Sequence, residues 1–193
     1  EGTEIPSGRD CRRPEGSSGG SGGNVHRPAS GGLVVPNVAG RPRLVLGDRC
    51  AIGAGRTIMA MHGIRLENGV TVAENVHIKD YLYDETAIGL SLEAQMISAE
   101  GGGICIEHGV RIEEDVLVKG SVHIGHGSLV RAGSIVQSDI PAYCIAEGNP
   151  AHVVRAFSLQ EKAWLPVADV QELARLMEER KKAAPLLTFA IIT

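Results

Sequence analysis

The stretch IEHGVRIEEDVLVKGSVHIGHGSLVRAGSIV, residues 106–136, divides into six-residue units. An aliphatic side chain opens each unit, at Ile106, Ile112, Val118, Ile124, Val130 and Val136. Four residues after the first five of these stand Val110, Val116, Val122, Ser128 and Ser134, all small or β-branched. A period of six fits neither a helix nor simple strand alternation. It describes short strands that each send one large and one small side chain inward, with abrupt corners where glycine or acidic residues follow the anchor. Three such strands make one triangular coil.

The same beat runs upstream through Leu46, Ile52 and Ile58 and, after a two-residue slip at MHGI (61–64), through Leu66, Val72 and Ile78. Stacked coils bury a column of aliphatics and pair their backbones from turn to turn, so each depends on its neighbours and the ends need caps. The expected fold is therefore an all-β solenoid over residues 33–157. The beat fails once, in VHIKDYLYDE (76–85), and resumes only after the glycine run AEGGG (99–103). An inserted loop is expected at 79–103, long enough to form a lid or arm.

The flanks differ. Residues 1–32 are rich in Gly, Ser and Arg and nearly empty of large apolar groups, a composition that does not offset its own ordering entropy, so a flexible arm is expected. In 158–193 a helix is expected, with Asp169 as cap, Glu172 three residues on, and Val170, Leu173, Leu176 and Met177 on one face. Pro185 is expected to end it, leaving LLTFAIIT as a terminal strand against its own chain or a neighbouring subunit.

The chain has 193 residues, 43% of them hydrophobic and 3% aromatic, with 25 glycines and a formal charge of -4. It carries no basic footprint for nucleic acid. No apolar run reaches the length of a membrane span and no charged-then-apolar leader is evident, so a cytoplasmic chain is expected. Cys11, Cys50, Cys105 and Cys144 form no CxxC pair, and three of them lie among apolar residues as small hydrophobes.

The segment IEEDVLVKGSVHIGHGSLVRAGSIVQSDIPAYCIAEGNPAHVVR (112–155) resembles the hexapeptide-repeat acyltransferases, notably sugar O-acetyltransferases of the maltose, galactoside and capsule type. The likeness covers about residues 44–157 and is densest in AGSIV, the SDIP step and EGNPAHVVR. It implies a left-handed parallel β-helix assembled as a homotrimer, with active sites in clefts between subunits. Acetyl-CoA or another acyl-CoA would be co-substrate, and a sugar or small-molecule hydroxyl or amine the acceptor.

The resemblance also gives the break a meaning. Relatives follow an anchor like Ile78 with D-H-x-H, whose histidine removes the acceptor's proton; here the residues are Asp80, Tyr81, Leu82 and Tyr83. A hydroxyl attacks a thioester only when a base with a pKa near neutral takes its proton, a task for which ordinary tyrosine is poor. His77, expected at a corner, and His123, expected close under the interruption, are the remaining candidate bases, with Tyr81 and Tyr83 as loop alternatives. His108 and His126 are expected in solvent at corners; His62, at the slip, has no clear geometry.

Cofactor positions carried over from the family are Glu114, Ala132, Gly133, Gln137, His152 and Arg155. Small residues at Ala132 and Gly133 let the backbone meet a pantetheine arm closely. Arg111, Ile112, Glu113 and Glu114 stand where relatives have Trp-Ile-Gly-Ser, and two carboxylates there oppose an anionic cofactor. Gln137 and Ser138 replace a Thr-Lys pair, and His152 replaces one of two basic residues, leaving Arg155. Some β-helix carbonic anhydrases carry zinc on histidines, but Arg131 occupies the place of the second, so no metal is expected. Altered base and cofactor positions leave two expectations open: CoA-dependent acyl transfer, or a β-helix trimer repurposed for binding or for other chemistry.

Overall fold

The computed structural model describes residues 32–34, 44–82, 89 and 102–189, without side-chain detail for 32–34 and 183–189. The 1–31 portion of the expected arm, Tyr83 and most of the inserted loop lie outside the described residues. The strands follow as β1 (Gly32–Val34), β2 (Leu44–Leu46), β3 (Ala51–Ile52), β4 (Thr57–Met59), β5 (Ile64–Leu66), β6 (Thr71–Val72) and β7 (His77–Lys79). After the interruption come β8 (Ile104–Ile106), β9 (Arg111–Ile112), β10 (Leu117–Lys119), β11 (Val122–Ile124), β12 (Leu129–Val130) and β13 (Ile135–Val136). The chain closes with β14 (Cys144–Gly148), β15 (Ala151–Ser158), β16 (Ala163–Pro166) and α1 (Val170–Phe189).

These strands build a three-sided parallel β-helix. One side is β1-β4-β7-β10-β13, the second β2-β5-β8-β11, and the third runs β3-β6-β9-β12-β14 before β15 and β16 extend it. In the undisturbed coils partners lie eighteen positions apart, as Arg111 with Leu129 and Ile104 with Val122. The offset is twenty at Thr57 with His77, where the slip intervenes, and forty at His77 with Leu117, where the insertion does. Slip and insertion therefore fall at the same corner, between the first and second sides, leaving all three faces in register.

The core is the expected column. Ile106, Ile112, Val118, Ile124, Val130 and Val136 are at most 1% exposed, and Leu66, Val72 and Ile78 at most 2%. Each such side chain contributes about 1.5–3 kcal/mol by leaving water. The inward serines are satisfied as well: Ser128 Oγ donates to the Pro141 carbonyl (2.8 Å) and Ser134 Oγ to the Arg131 carbonyl (2.6 Å). Corners use residues that tolerate left-handed backbone, Asn75 (φ 56°) and Asp115 (φ 57°) taking the place that Gly109 and Gly127 hold in other turns.

The C-terminal part departs from expectation. The sheet continues past 157: β15 runs antiparallel to β14, and β16 antiparallel to β15, forming a hairpin at the end of the prism. Its strands carry no six-residue beat, because they leave the coil. Helix α1 runs through Pro185 to Phe189, so the proline does not end it, and residues 186–189 of the expected strand are helical. Only one N–H is lost at a proline, and the flanking Lys, Ala and Leu residues are good helix formers. The start agrees with expectation: the Glu172 amide donates to Asp169 Oδ1 at 2.8 Å. Leu176 is fully buried, but Val170, expected on the same face, is 77% exposed. The interruption occupies 80–103, since Lys79 still pairs within β7.

Candidate functional site

His77 opens β7 instead of sitting in a turn, with an exposed side chain on the outer face of the first side. Outer positions alternate with the buried column, so His77 shares its face with Lys79 and, across β7's neighbours, with Thr57, Met59, Leu117 and Lys119. Ile135 follows Leu117 in the same row. That puts His77 about 10 Å, two strand spacings, from the strand led by the Ala132–Gly133 turn.

That turn is exposed, and a side chain added at Gly133 would meet open space. Glu113 reaches it from the preceding coil: Oε1 lies 3.2 Å from Arg131 Nη1, and Oε2 accepts the Ala132 amide at 3.0 Å. Of the two carboxylates, Glu113 is thus neutralised and Glu114 stays exposed. Thr71, Ala73, Arg111, Glu113 and Glu114, with the backbone at Ile112, line a shallow hollow of about 330 Å³ beside it. Gln137, His152 and Arg155 are all exposed; His152 opposes Glu147, and Arg155 opposes Pro166 across the terminal hairpin.

At the corner of the interruption, Asp80 is 1% exposed and turned inward. Its carboxylate accepts the backbone amides of Met61 (2.7 Å), His62 (2.8 Å) and Gly63. Three amides converging on one carboxylate compensate its burial and weld the slip to the interruption. Tyr81 then lies over Met59, with its hydroxyl 3.5 Å from Sδ. Asp80, read from the sequence only as part of a motif, is the anchor of this corner.

His123 lies on the second side, in register with Cys105 of the strand that resumes after the interruption. It does not share a face with His77. Its Nε2 is 3.0 Å from Glu107 Oε1, while His126 Nδ1 is 2.8 Å from Glu107 Oε2. His126 is not solvated as expected: its ring stacks on His108 (4.9 Å, 9° between planes) and meets Tyr143 edge-on at 4.8 Å. Its side chain is only 35% exposed, whereas that of His108, at 62%, matches expectation. Burial raises the Glu107 carboxyl, but hydrogen bonds from His126 and the charge and hydrogen bond of His123 outweigh it, leaving a pKa below the ordinary glutamate value. Glu107 was missed in the sequence. Adding eighteen residues to its position lands between His123 and His126, so the coil length was the signal that could have found it.

Cys105 and Cys144 are buried and Cys50 half-buried. Burial pushes the Cys144 thiol up, more than Arg180 lowers it, so this sulfur stays a protonated thiol. Among the described residues, no three His, Cys, Asp or Glu side chains are placed to hold a metal ion, and no helix is long and apolar enough to cross a membrane.

Comparison with solved structures identifies the architecture as that of left-handed β-helix acetyltransferases. The hexapeptide-repeat acetyltransferase of Vibrio cholerae, complexed with acetyl coenzyme A, matches at 22% identity and TM-score 0.54, over 59% of this chain and 60% of that one. The Bacillus cereus N-acyltransferase AntD, complexed with dTDP and 3-hydroxybutyryl-CoA, matches at 16% identity and TM-score 0.51, over 74% and 71%. In sequence, a Staphylococcus aureus (strain COL) protein provisionally named an acetyltransferase is 56% identical over 34 residues, 18% of this chain and 17% of that relative. The chain thus matches only a small part of that relative's length. No family-level sequence profile matches.

Proposed function

We propose that the chain moves an acetyl or other acyl group from a CoA thioester to a hydroxyl or amine of a sugar or other small molecule. The observation that carries this reading is the placement of exposed His77 on the strand row leading to the open Ala132–Gly133 turn. The fold shared with the acetyl-CoA-bound Vibrio cholerae chain supports it. In the proposed step His77 takes the acceptor's proton as its oxygen or nitrogen attacks the thioester carbonyl. The C–S bond then breaks, and the proton passes to the leaving thiolate. Small residues at the turn leave room for the pantetheine arm, and Arg131 offsets the Glu113 charge beside it. The cleft is proposed to lie between subunits of a cytoplasmic homotrimer, with backbone amides holding the oxyanion.

A second base is favoured by one contact: Glu107 Oε1 lies 3.0 Å from His123 Nε2 and fixes the orientation of that ring. The test is thiol release from acetyl-CoA over a panel of sugar and amine acceptors. A loss of about a hundredfold or more in His77→Ala, with His123→Ala near wild type, is expected. The reverse pattern assigns the base to His123. No acceptor-dependent release in the parent chain refutes acyl transfer and favours a β-helix repurposed for binding.

A further inference from the structure

Lys79 and Lys119 are Cα partners on adjacent parallel strands, both half-buried on the outer face of the first side. Strand spacing holds their backbones about 5 Å apart, an arrangement in which like charges repel. The overall charge is -4, yet neither ammonium has an ion-pair partner among the described residues. Asp80, next in the chain to Lys79, faces the other way and is fully engaged by three backbone amides. Elsewhere along the stacked coils an outward cation does meet a carboxylate of the preceding coil, as Arg131 with Glu113.

Met59, Tyr81 and Leu82 flank the pair. Met59 precedes the pair in its row, with the Tyr81 hydroxyl resting on its sulfur. Leu82 reaches the next coil over Gly120, where an added side chain would lie 3.7 Å from Leu82 Cδ1. His77 is two residues from Lys79 on the same face of the same strand, about 7 Å away. We infer that Lys79 and Lys119 bind the anionic group, a carboxylate or phosphate, of a small acceptor, presenting its hydroxyl or amine to His77. This deepens the acyl-transfer reading by naming the acceptor class. The two ammonium groups lose their mutual repulsion when an anion bridges them, and desolvation by the flanking Met59, Tyr81 and Leu82 strengthens the attraction.

The test uses the full chain without cofactor, so that failure of acyl transfer does not obscure it. Glucose 6-phosphate, glucuronate and glucose are titrated at fixed ionic strength and followed by NMR chemical-shift changes, with Lys79→Gln, Lys119→Gln and, as a remote control, Lys181→Gln. Both anions are expected to bind at least about tenfold tighter than glucose, the stronger of the two showing which anion the site prefers. Each of Lys79→Gln and Lys119→Gln should weaken that binding about tenfold, with Lys181→Gln unchanged. Equal binding of glucose and the anions, or equal loss in all three variants, overturns the inference. So does a change in oligomeric state in Lys79→Gln or Lys119→Gln with anion binding intact, which would assign the pair to a subunit contact.

Discussion

Glu107 and His126, nineteen residues apart in sequence, meet side by side with 2.8 Å between Oε2 and Nδ1, and the His126 backbone amide donates to the same oxygen. One carboxylate thus ties together two successive coils.

A pH dependence follows from that tie. The Glu107 carboxyl titrates below its ordinary value when folded, so the unfolded chain binds more protons in the intervening range and stability rises with pH there. The contribution is complete above the unfolded pKa, about 4.3, and is lost as the pH falls through the folded value. Thermal melts between pH 3 and 6 should show Glu107→Gln less stable than the parent at pH 6, with the gap closing below about pH 4. A gap of constant size across that range contradicts the assignment.

Asp80 should be among the costliest polar residues to truncate. Asp80→Ala leaves the Met61, His62 and Gly63 amides without their acceptor in a nearly closed corner. Urea unfolding is expected to register a loss of about 3 kcal/mol, with Asp80→Asn in between because one carbonyl oxygen still accepts.

Arg180 is the clasp between α1 and the end of the prism. Its Nε donates to the Phe157 carbonyl (2.9 Å), Nη2 to that of Tyr143 (3.1 Å) and Nη1 to that of Ala142. The planar fork fits three carbonyls that an ammonium cannot reach at once. Arg180→Lys should therefore lose most of what Arg180→Ala loses, about 2 kcal/mol, and hydrogen exchange in α1 should accelerate in both.

The cofactor reading makes a separable forecast at Ala132. The position is exposed, so Ala132→Leu should change the melting temperature by less than about 1 °C. The added bulk beside Gly133 should nonetheless weaken acetyl-CoA binding about tenfold, measured by calorimetry.

The fold was legible because it is written locally: an aliphatic residue every sixth position is enough to define a coil, and even the slip at 61–64 and the break near Asp80 were readable as departures from it. The site was less legible because its contacts cross coils. Glu107 with His123 and Glu113 with Arg131 become neighbours only once the eighteen-residue coil is laid out, and Lys79 with Lys119 only once the length of the insertion is known as well. The hairpin of β15 and β16 carries no repeat, and the run of α1 through Pro185 depends on helix formers on both sides outweighing one missing amide.

The most direct measurement is calorimetric titration of acetyl-CoA into the full chain. Saturable binding with a dissociation constant below about 1 mM, weakened in Ala132→Leu and kept in His77→Ala, is the expected result. Absence of binding heat at millimolar acetyl-CoA, at two temperatures, contradicts acyl transfer from CoA as the work of this β-helix.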